Sequence, residues 1–214
     1  MSAGWQALRA TDRDLALALL FAPGASRELI ADRMSLAIEA ETALKLASEP
    51  MLAAIRLQWW VEAIEQGSGG SVPLMQRLQR HLDSGAATPV ALASQIGIWQ
   101  DRLAMAPEAN PETNAETTPE TTGACWAEFF GSLLPAQEQA ARQVGRALVD
   151  SDVRVGDEAL GILARDDARW AWMIGLLARH RQTRRGSHDD PLMAWRMLGW
   201  RLGVRRPSSP TTSR

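Results

Sequence analysis

The sequence predicts an all-α protein, and three of its properties support this fold class. Residues that favour helices, chiefly Ala, Leu, Arg, Glu and Gln, dominate the 214 positions. Tyr is absent, only three Phe occur, and β-branched residues are sparse and scattered. No stretch alternates apolar and polar residues as a half-buried strand does. The length and the hydrophobic content of 46% fit one domain with a substantial core.

Prolines, glycines and capping residues divide the chain into successive helices. The break Ala22-Pro23-Gly24 ends the first helix, Ser26 caps the second, and Pro50 starts the third. The connections are short, so the sequence predicts a bundle of eight or nine helices. These helices are expected at about residues 12–21, 26–48, 50–66, 74–82, 89–105, 123–134, 136–150, 157–180 and 191–202.

Two segments are predicted to be disordered. Residues 107–122 carry Glu108, Glu112, Glu116 and Glu120 in a Thr-, Asn- and Pro-rich tract without a basic or large apolar side chain. This composition predicts an acidic surface loop. Residues 205–214 are predicted to form a tail, which leaves residues 1–204 as a single helical domain.

Charge is distributed unevenly along the chain. Residues 1–164 contain 12 basic and 21 acidic residues, whereas residues 165–214 contain 11 basic and 4 acidic residues. The basic region also contains four tryptophans. This combination of basic residues and tryptophans predicts contact with phosphates, anionic lipid or an acidic protein partner. The alternative is that the aliphatic parts of Arg side chains cover Trp rings on solvated helix faces. The tryptophans are Trp170, Trp172, Trp195 and Trp200.

Several classes of function find no support in the sequence. The Arg-rich stretch 179–185 lies in an acidic protein without a nucleic-acid-binding motif, so no nucleic-acid partner is predicted. Three histidines and Cys125 lack zinc-ligand spacing, and Cys125 is expected to be a small buried hydrophobe. The first residues lack a secretion signal, and the longest apolar runs are far below the ~20 residues of a membrane span. We expect a cytoplasmic protein, with peripheral membrane contact as an option.

Residues 49–64 resemble the hallmark helix of the squalene/phytoene synthase family. Residues 19–23 resemble the family's opening helix and its break, residues 36–49 follow without a gap, and residues 121–148 and 192–203 agree more loosely. The chain is shorter than typical active members. Its features are most similar to a divergent branch that includes an assembly factor for respiratory complex I. The most specific part is the hexapeptide Ile55-Arg56-Leu57-Gln58-Trp59-Trp60.

The resemblance implies an all-helical isoprenoid-synthase fold with a central cavity. Active members join two prenyl diphosphates head to head, with Mg²⁺ held by two Asp-rich motifs on facing helices. Divalent cations neutralise the charge that develops as diphosphate departs. By the same resemblance, the candidate ligand-pocket residues are Glu39, Arg56, Gln58, Trp59 and Trp60.

The first Asp-rich motif is altered in this chain. Glu41 and Lys45 stand where its outer Asp pair is expected, and an ammonium has no lone pair for a metal. Spacing of four residues favours an ordinary Glu-to-Lys ion pair on a helix surface, although Lys45 remains able to meet a diphosphate. No two acids stand four apart near Asp150, where the second motif is expected. No metal site is therefore predicted, and Mg²⁺ is expected only if the protein is active.

Helical geometry limits which pocket candidates face inward. Trp59 and Trp60 point about 100° apart, so at most one of them lies deep on a given face. Arg56 and Gln58 are about 200° apart, so both cannot face one pocket, and we expect one of them inside it and not both.

Three functional hypotheses follow. The favoured one is a non-catalytic relative that binds a prenyl lipid, a membrane surface or a protein partner. The alternative is an active Mg²⁺-dependent head-to-head prenyltransferase in isoprenoid biosynthesis, with Glu41 and acids near Asp150 as metal ligands. A third is a helical interaction module without a ligand, whose cavity is filled by side chains.

Overall fold

The protein consists of helices separated by short turns. The structure is a computed structural model that describes residues 2–47, 49–105, 119–165, 167–183 and 190–204. These residues contain eleven α-helices, two 3₁₀ turns and no strand, which confirms the predicted all-α single domain. The helices are α1 (Ala3–Thr11), α2 (Arg13–Ala18), α3 (Gly24–Leu46), α4 (Pro50–Gln66), α5 (Pro73–Asp83), α6 (Pro89–Met105), α7 (Pro119–Leu133), α8 (Glu138–Val149), α9 (Asp157–Leu163), α10 (Arg169–Thr183) and α11 (Met193–Arg201).

Helix α1 has no counterpart among the predicted helices. Ser2 caps it, with the Trp5 backbone N–H donating to Ser2 Oγ over 3.5 Å. The Trp5 indole is buried, and its Nε1–H donates to the Ala16 carbonyl oxygen over 2.6 Å. This contact joins α1 to α2, so packing against the next helix stabilises a segment that local sequence signals did not identify.

The predicted helix at 157–180 is two helices in the structure. Helix α9 ends at Leu163 and α10 begins at Arg169, which allows α9 to fold back against α10. The contact is tight, because a Cβ at Gly175 would lie 2.6 Å from Leu160 Cδ2. Tertiary packing between the two segments therefore overrides a continuous helical pattern.

The acidic segment is shorter than predicted at its C-terminal end. Helix α7 begins at Pro119, four residues before the predicted start, so helix replaces residues 119–122 of the expected loop. Thr122 is buried. The rest of that segment, residues 106–118, and the predicted tail at 205–214 lie outside the described residues.

Aromatic side chains fill the interior between α6, α7 and α10. Edge-to-face and tilted contacts join five buried rings, with centroids 5.5 to 6.3 Å apart. Such pairs add stabilisation beyond the area that they bury. The rings belong to Trp99, Trp126, Phe129, Phe130 and Trp170.

Gly145 sets how closely α7 and α8 approach. A Cβ at this position would overlap the Trp126 carbonyl oxygen and lie 3.0 Å from Phe130 Cβ. Only a hydrogen fits between the two backbones here. The missing side chain thereby allows α8 to lie against the part of α7 that carries the aromatic rings.

A buried carboxylate connects three helices of the N-terminal half. Asp32 on α3 is fully buried and accepts a 2.6 Å hydrogen bond from Arg77 Nε on α5. His81 Nε2 lies 3.0 Å from the other carboxylate oxygen. Gly4 on α1 covers the group, since a Cβ there would lie 2.6 Å from Asp32 Oδ1. Buried charges persist in proteins when they are paired in this way.

A second polar cluster joins α2, α10 and the start of α11. Arg181 Nη2 lies 3.1 Å from Asp12 Oδ1 and 3.7 Å from Asp14 Oδ2. Asp14 is buried, and this burial raises its pKa above the ordinary 3.8, although the Arg181 charge opposes the shift. Arg196 Nε on α11 donates to Asp190 Oδ2 over 2.6 Å.

In the described part of the chain, every helix is too short or too polar to cross a bilayer.

The close approach at Gly145 predicts a strong effect of a single added methyl group. We expect Gly145→Ala to lower the free energy of unfolding by about 3 kcal/mol, because the two helices must separate. Gly97→Ala on α6 is the matched control, since nothing lies within 4 Å of a Cβ there. It should raise stability by about 0.5 kcal/mol. Urea unfolding measures both, and equal effects would contradict the packing argument.

Asp14 predicts a defined pH dependence. Its pKa is raised in the folded state, so the folded protein binds this proton more tightly, and stability falls as pH rises from 3.8 through the raised value. We expect Asp14→Asn to be more stable than wild type at neutral pH, with a difference that shrinks as pH falls toward 3.8. Urea unfolding over a pH series tests this. A variant less stable at neutral pH would mean that attraction to Arg181 outweighs desolvation.

Candidate functional site

Helix α4 contains the hexapeptide of residues 55–60, on which the resemblance chiefly rests, and has two apolar sides. Pro50 occupies its first turn, and Gly67 ends it in the left-handed conformation with φ 63°. One side packs into the core through Ala53, Leu57, Trp60, Ala63 and Ile64. The other side leaves large apolar side chains exposed to solvent, namely Met51, Leu52, Ile55 and Trp59. A helix with this second apolar side has more hydrophobic surface than the core requires.

A pocket of about 350 Å³ lies between α3 and α4. Four of the five predicted ligand-pocket residues line it, although they come from two helices and span 22 positions of sequence. They are Glu39, Arg56, Trp59 and Trp60, and the remaining lining residues are Thr42, Ala43 and Ile55.

An open groove of about 830 Å³ lies on the other side of the exposed face, between α4 and α6. Ile55 and Trp59 line both this groove and the pocket, so the two spaces adjoin. We call the pocket and the groove together the α4 surface. The groove's other lining residues are Pro50, Met51, Ala54, Gln58, Glu62, Gln100, Leu103 and Ala104.

The two tryptophans have different environments. Trp60 is 7% exposed and Trp59 is 41% exposed, which confirms the prediction that at most one lies deep. Their rings meet edge to face with centroids 5.0 Å apart. The Trp59 ring also lies beside Gly69, whose φ of 84° is a left-handed conformation that favours glycine. Trp60 thus anchors α4 in the core, and Trp59 forms the wall of a surface site.

Arg56 and Gln58 do not share one pocket, as the 200° between them predicts. Both residues are exposed. Leu57, between them, points to the core, so each neighbour is rotated about 100° away on opposite sides of the buried strip. Arg56 lines the pocket, and Gln58 lines the groove.

Hydrogen bonds connect the polar residues of the groove. Gln58 Nε2 donates to Glu62 Oε1 over 3.0 Å, and Gln100 Nε2 on α6 donates to Gln58 Oε1 over 3.2 Å. These two hydrogen bonds position Gln58 at the junction of α4 and α6. The groove therefore combines apolar walls with a few oriented polar groups, as small-molecule sites usually do.

Glu41 and Lys45 form the predicted ion pair. Lys45 Nζ lies 2.8 Å from Glu41 Oε1 across one helical turn, and Lys45 is exposed, whereas Glu41 is mostly buried. Neither residue is among those that line the α4 surface. The resemblance places a metal-binding pair at these positions. An ammonium this close to the carboxylate neutralises the carboxylate's negative charge and repels a divalent cation.

Acids near the expected second motif are paired with arginines. Asp150 Oδ2 lies 3.9 Å from Arg146 Nε, and Asp157 Oδ1 accepts a 2.6 Å bond from Arg179 Nη1. Across the part of the chain that the structure describes, no group of three or more His, Cys, Asp or Glu side chains is arranged to hold a metal ion. These donor sets do not fit the Mg²⁺ site that the resemblance implies.

Cys125 has the environment of a core residue. It is buried, and this burial raises the pKa of its thiol to about 11. A thiol that stays protonated is a poor nucleophile. The structure thus places Cys125 in the hydrophobic core, as predicted.

Comparison of the chain with protein-family models, with curated proteins and with solved structures gave no significant match. The resemblance to squalene/phytoene synthases, and the partners that it implies, therefore stay predictions.

Several residues of the α4 surface are not among the predicted pocket residues. Thr42 on α3 and Gln100, Leu103 and Ala104 on α6 contribute to its walls. The spacing of 100, 103 and 104 places these α6 residues on one helical face, a signal present in the sequence. Their position opposite α4 depends on long-range packing, which sequence spacing does not specify.

The contrast between the two tryptophans predicts different costs of truncation. We expect Trp60→Ala to lower the free energy of unfolding by about 4 kcal/mol, because it opens a cavity in the core. Trp59→Ala should cost about 1 kcal/mol, since much of its ring already contacts water. Urea unfolding of both variants provides the measurement. Equal losses would show that Trp59 is a structural residue and not primarily a binding wall.

Proposed function

We propose that this protein is a non-catalytic relative of the squalene/phytoene synthases that binds an isoprenoid lipid at the α4 surface. One observation carries the proposal: four residues singled out by the family resemblance converge on one pocket, and that pocket adjoins an apolar groove through Ile55 and Trp59. A bundle that needed α4 only for packing would gain nothing from a second apolar side.

The walls of the α4 surface suit a branched hydrocarbon chain. Exposed Met51, Ile55 and Trp59 supply large apolar contacts along one side of α4, and Leu103 supplies another from α6. The volumes of the pocket and the groove both lie in the ~300–1,000 Å³ range of small-molecule sites. Covering these side chains with a prenyl chain removes apolar area from water, which favours binding.

Charged residues at the pocket suit a polar head group. Arg56 lines the pocket beside the two tryptophans, and a guanidinium binds phosphate oxygens through paired hydrogen bonds. Glu39 lines the same pocket and limits its positive charge. We therefore favour a lipid with a small anionic or hydroxyl head group that contacts Arg56, with its chain along Trp59 and Ile55.

Catalysis as in active prenyltransferases has less support. The Glu41–Lys45 ion pair replaces a metal-binding pair of carboxylates. The groove is open to solvent, whereas an allylic cation must be shielded from water to react with a second prenyl chain. Aromatic rings occupy the interior between α6, α7 and α10. These features favour binding without turnover.

Ligand titration tests the proposal. Purified protein is mixed with farnesyl or geranylgeranyl diphosphate, or with the matching alcohols, with and without Mg²⁺, while the melting temperature and diphosphate release are followed. We expect stabilisation that needs no Mg²⁺ and no release of diphosphate. Ile55→Gln should weaken all four ligands about tenfold, because it removes apolar contact from both spaces. Arg56→Gln should weaken only the diphosphates, also about tenfold.

The control is Val90→Gln, which replaces an exposed apolar residue outside the α4 surface and should leave affinity unchanged. Diphosphate release that depends on Mg²⁺ would establish the enzymatic alternative. Absence of stabilisation by any of the four ligands would rule out isoprenoid binding and favour the interaction module without a ligand.

A further inference from the structure

Helix α11 has an exposed apolar face that the α4 proposal does not use. Trp195 is 73% exposed and Leu202, directly after the helix, is 70% exposed. Leu192 and Leu198 are also exposed. We call these four residues the α11 face. A tryptophan this accessible is unusual, because its large ring normally packs against other side chains.

The opposite side of α11 is packed into the protein. Met193, Met197 and Trp200 are buried, and the Trp200 ring lies 5.6 Å from that of His180 on α10. With about 100° of rotation per residue, the four residues of the α11 face fall within an arc of about 120°. The helix is therefore held firmly on one side and presents a continuous apolar stripe on the other.

Arginines border this stripe on both sides. Arg201 follows the arc on one edge, and Arg196, which contacts Asp190, lies on the other. In the sequence, Arg205 and Arg206 come four and five positions after the last residue of α11, and residues 165–214 carry 11 basic against 4 acidic residues. An apolar stripe with Trp at its centre and Arg at its edges is the pattern of helices that lie in the interface of an anionic membrane.

We propose that the α11 face docks this protein on the surface of an anionic lipid bilayer, with Trp195, Leu198 and Leu202 inserted among the acyl chains and Arg201 on lipid phosphates. Insertion removes the exposed apolar area from water, and Trp is suited to the boundary between headgroups and chains. This inference does not depend on the proposed function, because it uses no residue of the α4 surface.

A second copy of the chain fits the α11 face less well. A two-fold dimer through this face would bring the basic edges of both copies together, which is repulsive. A nine-residue helix also offers little of the ~1,200 Å² that a stable interface buries. An anionic bilayer satisfies both the apolar stripe and the charge around it.

Vesicle co-sedimentation of the full chain tests the inference. We expect binding to vesicles of phosphatidylcholine with phosphatidylglycerol, weaker binding to phosphatidylcholine alone, and loss of binding as NaCl is raised. Trp195→Gln should weaken binding to the anionic vesicles about tenfold, because it removes the largest inserted side chain. Arg201→Gln should weaken it about fivefold.

Two control variants separate this surface from other apolar surfaces. Val90→Gln removes an equally exposed apolar side chain elsewhere, and Ile55→Gln alters the α4 surface; both should sediment like wild type. Circular dichroism and urea unfolding confirm that each variant is folded.

Three outcomes would overturn the inference. The first is no sedimentation of the wild type with anionic vesicles, and the second is equal sedimentation of Trp195→Gln and wild type. The third is a wild type that light scattering shows to be a dimer and a Trp195→Gln variant that is a monomer, which would assign the α11 face to self-association. Failure of isoprenoid binding at the α4 surface would leave the vesicle result unaffected.

Discussion

The contact of α8 with the backbone of α7 at Gly145 is the constraint on which the rest of the structure depends. Since position 145 has no Cβ, α8 reaches the Trp126 carbonyl and lies against Phe130. The aromatic rings of α6, α7 and α10 then fill the interior between these helices. Dense packing of this kind leaves few voids. The apolar surfaces best suited to binding accordingly lie on the outside of the bundle, on α4 and α11.

Helices α4 and α11 each have a buried and an exposed apolar side, and they differ in the charge around the exposed side. Each buries one apolar side in the core and exposes another, which exceeds what folding needs. The α4 surface has volume, two adjoining spaces and few charges, and it suits a single chain-like ligand. The α11 face is an exposed apolar stripe between arginines, and it suits an extended anionic surface. Together, the two proposals describe a protein that binds an isoprenoid lipid while it lies on a membrane surface.

Buried polar clusters fix the helices that support these surfaces. Asp32 on α3 binds Arg77 and His81 on α5 and lies against Gly4 on α1, so α3, one wall of the pocket, has a defined position. In the second polar cluster, Asp14 and Arg181 connect α2 with α10, and Asp190 binds Arg196 on α11. Paired charges inside a protein add little net stability, but an unpaired one is costly, which penalises other arrangements of the helices.

The sequence by itself determined the fold class and the elements whose ends carry local signals. Helices α4 and α6 begin at the predicted prolines and end where predicted, because caps and breakers act over a few residues. The Glu41–Lys45 pair also follows from spacing alone. Only the tertiary structure decided that 157–180 divides, that Arg56 and Gln58 both face outward, and that α6 completes the groove. These features depend on contacts between residues far apart in the chain, which local spacing does not encode.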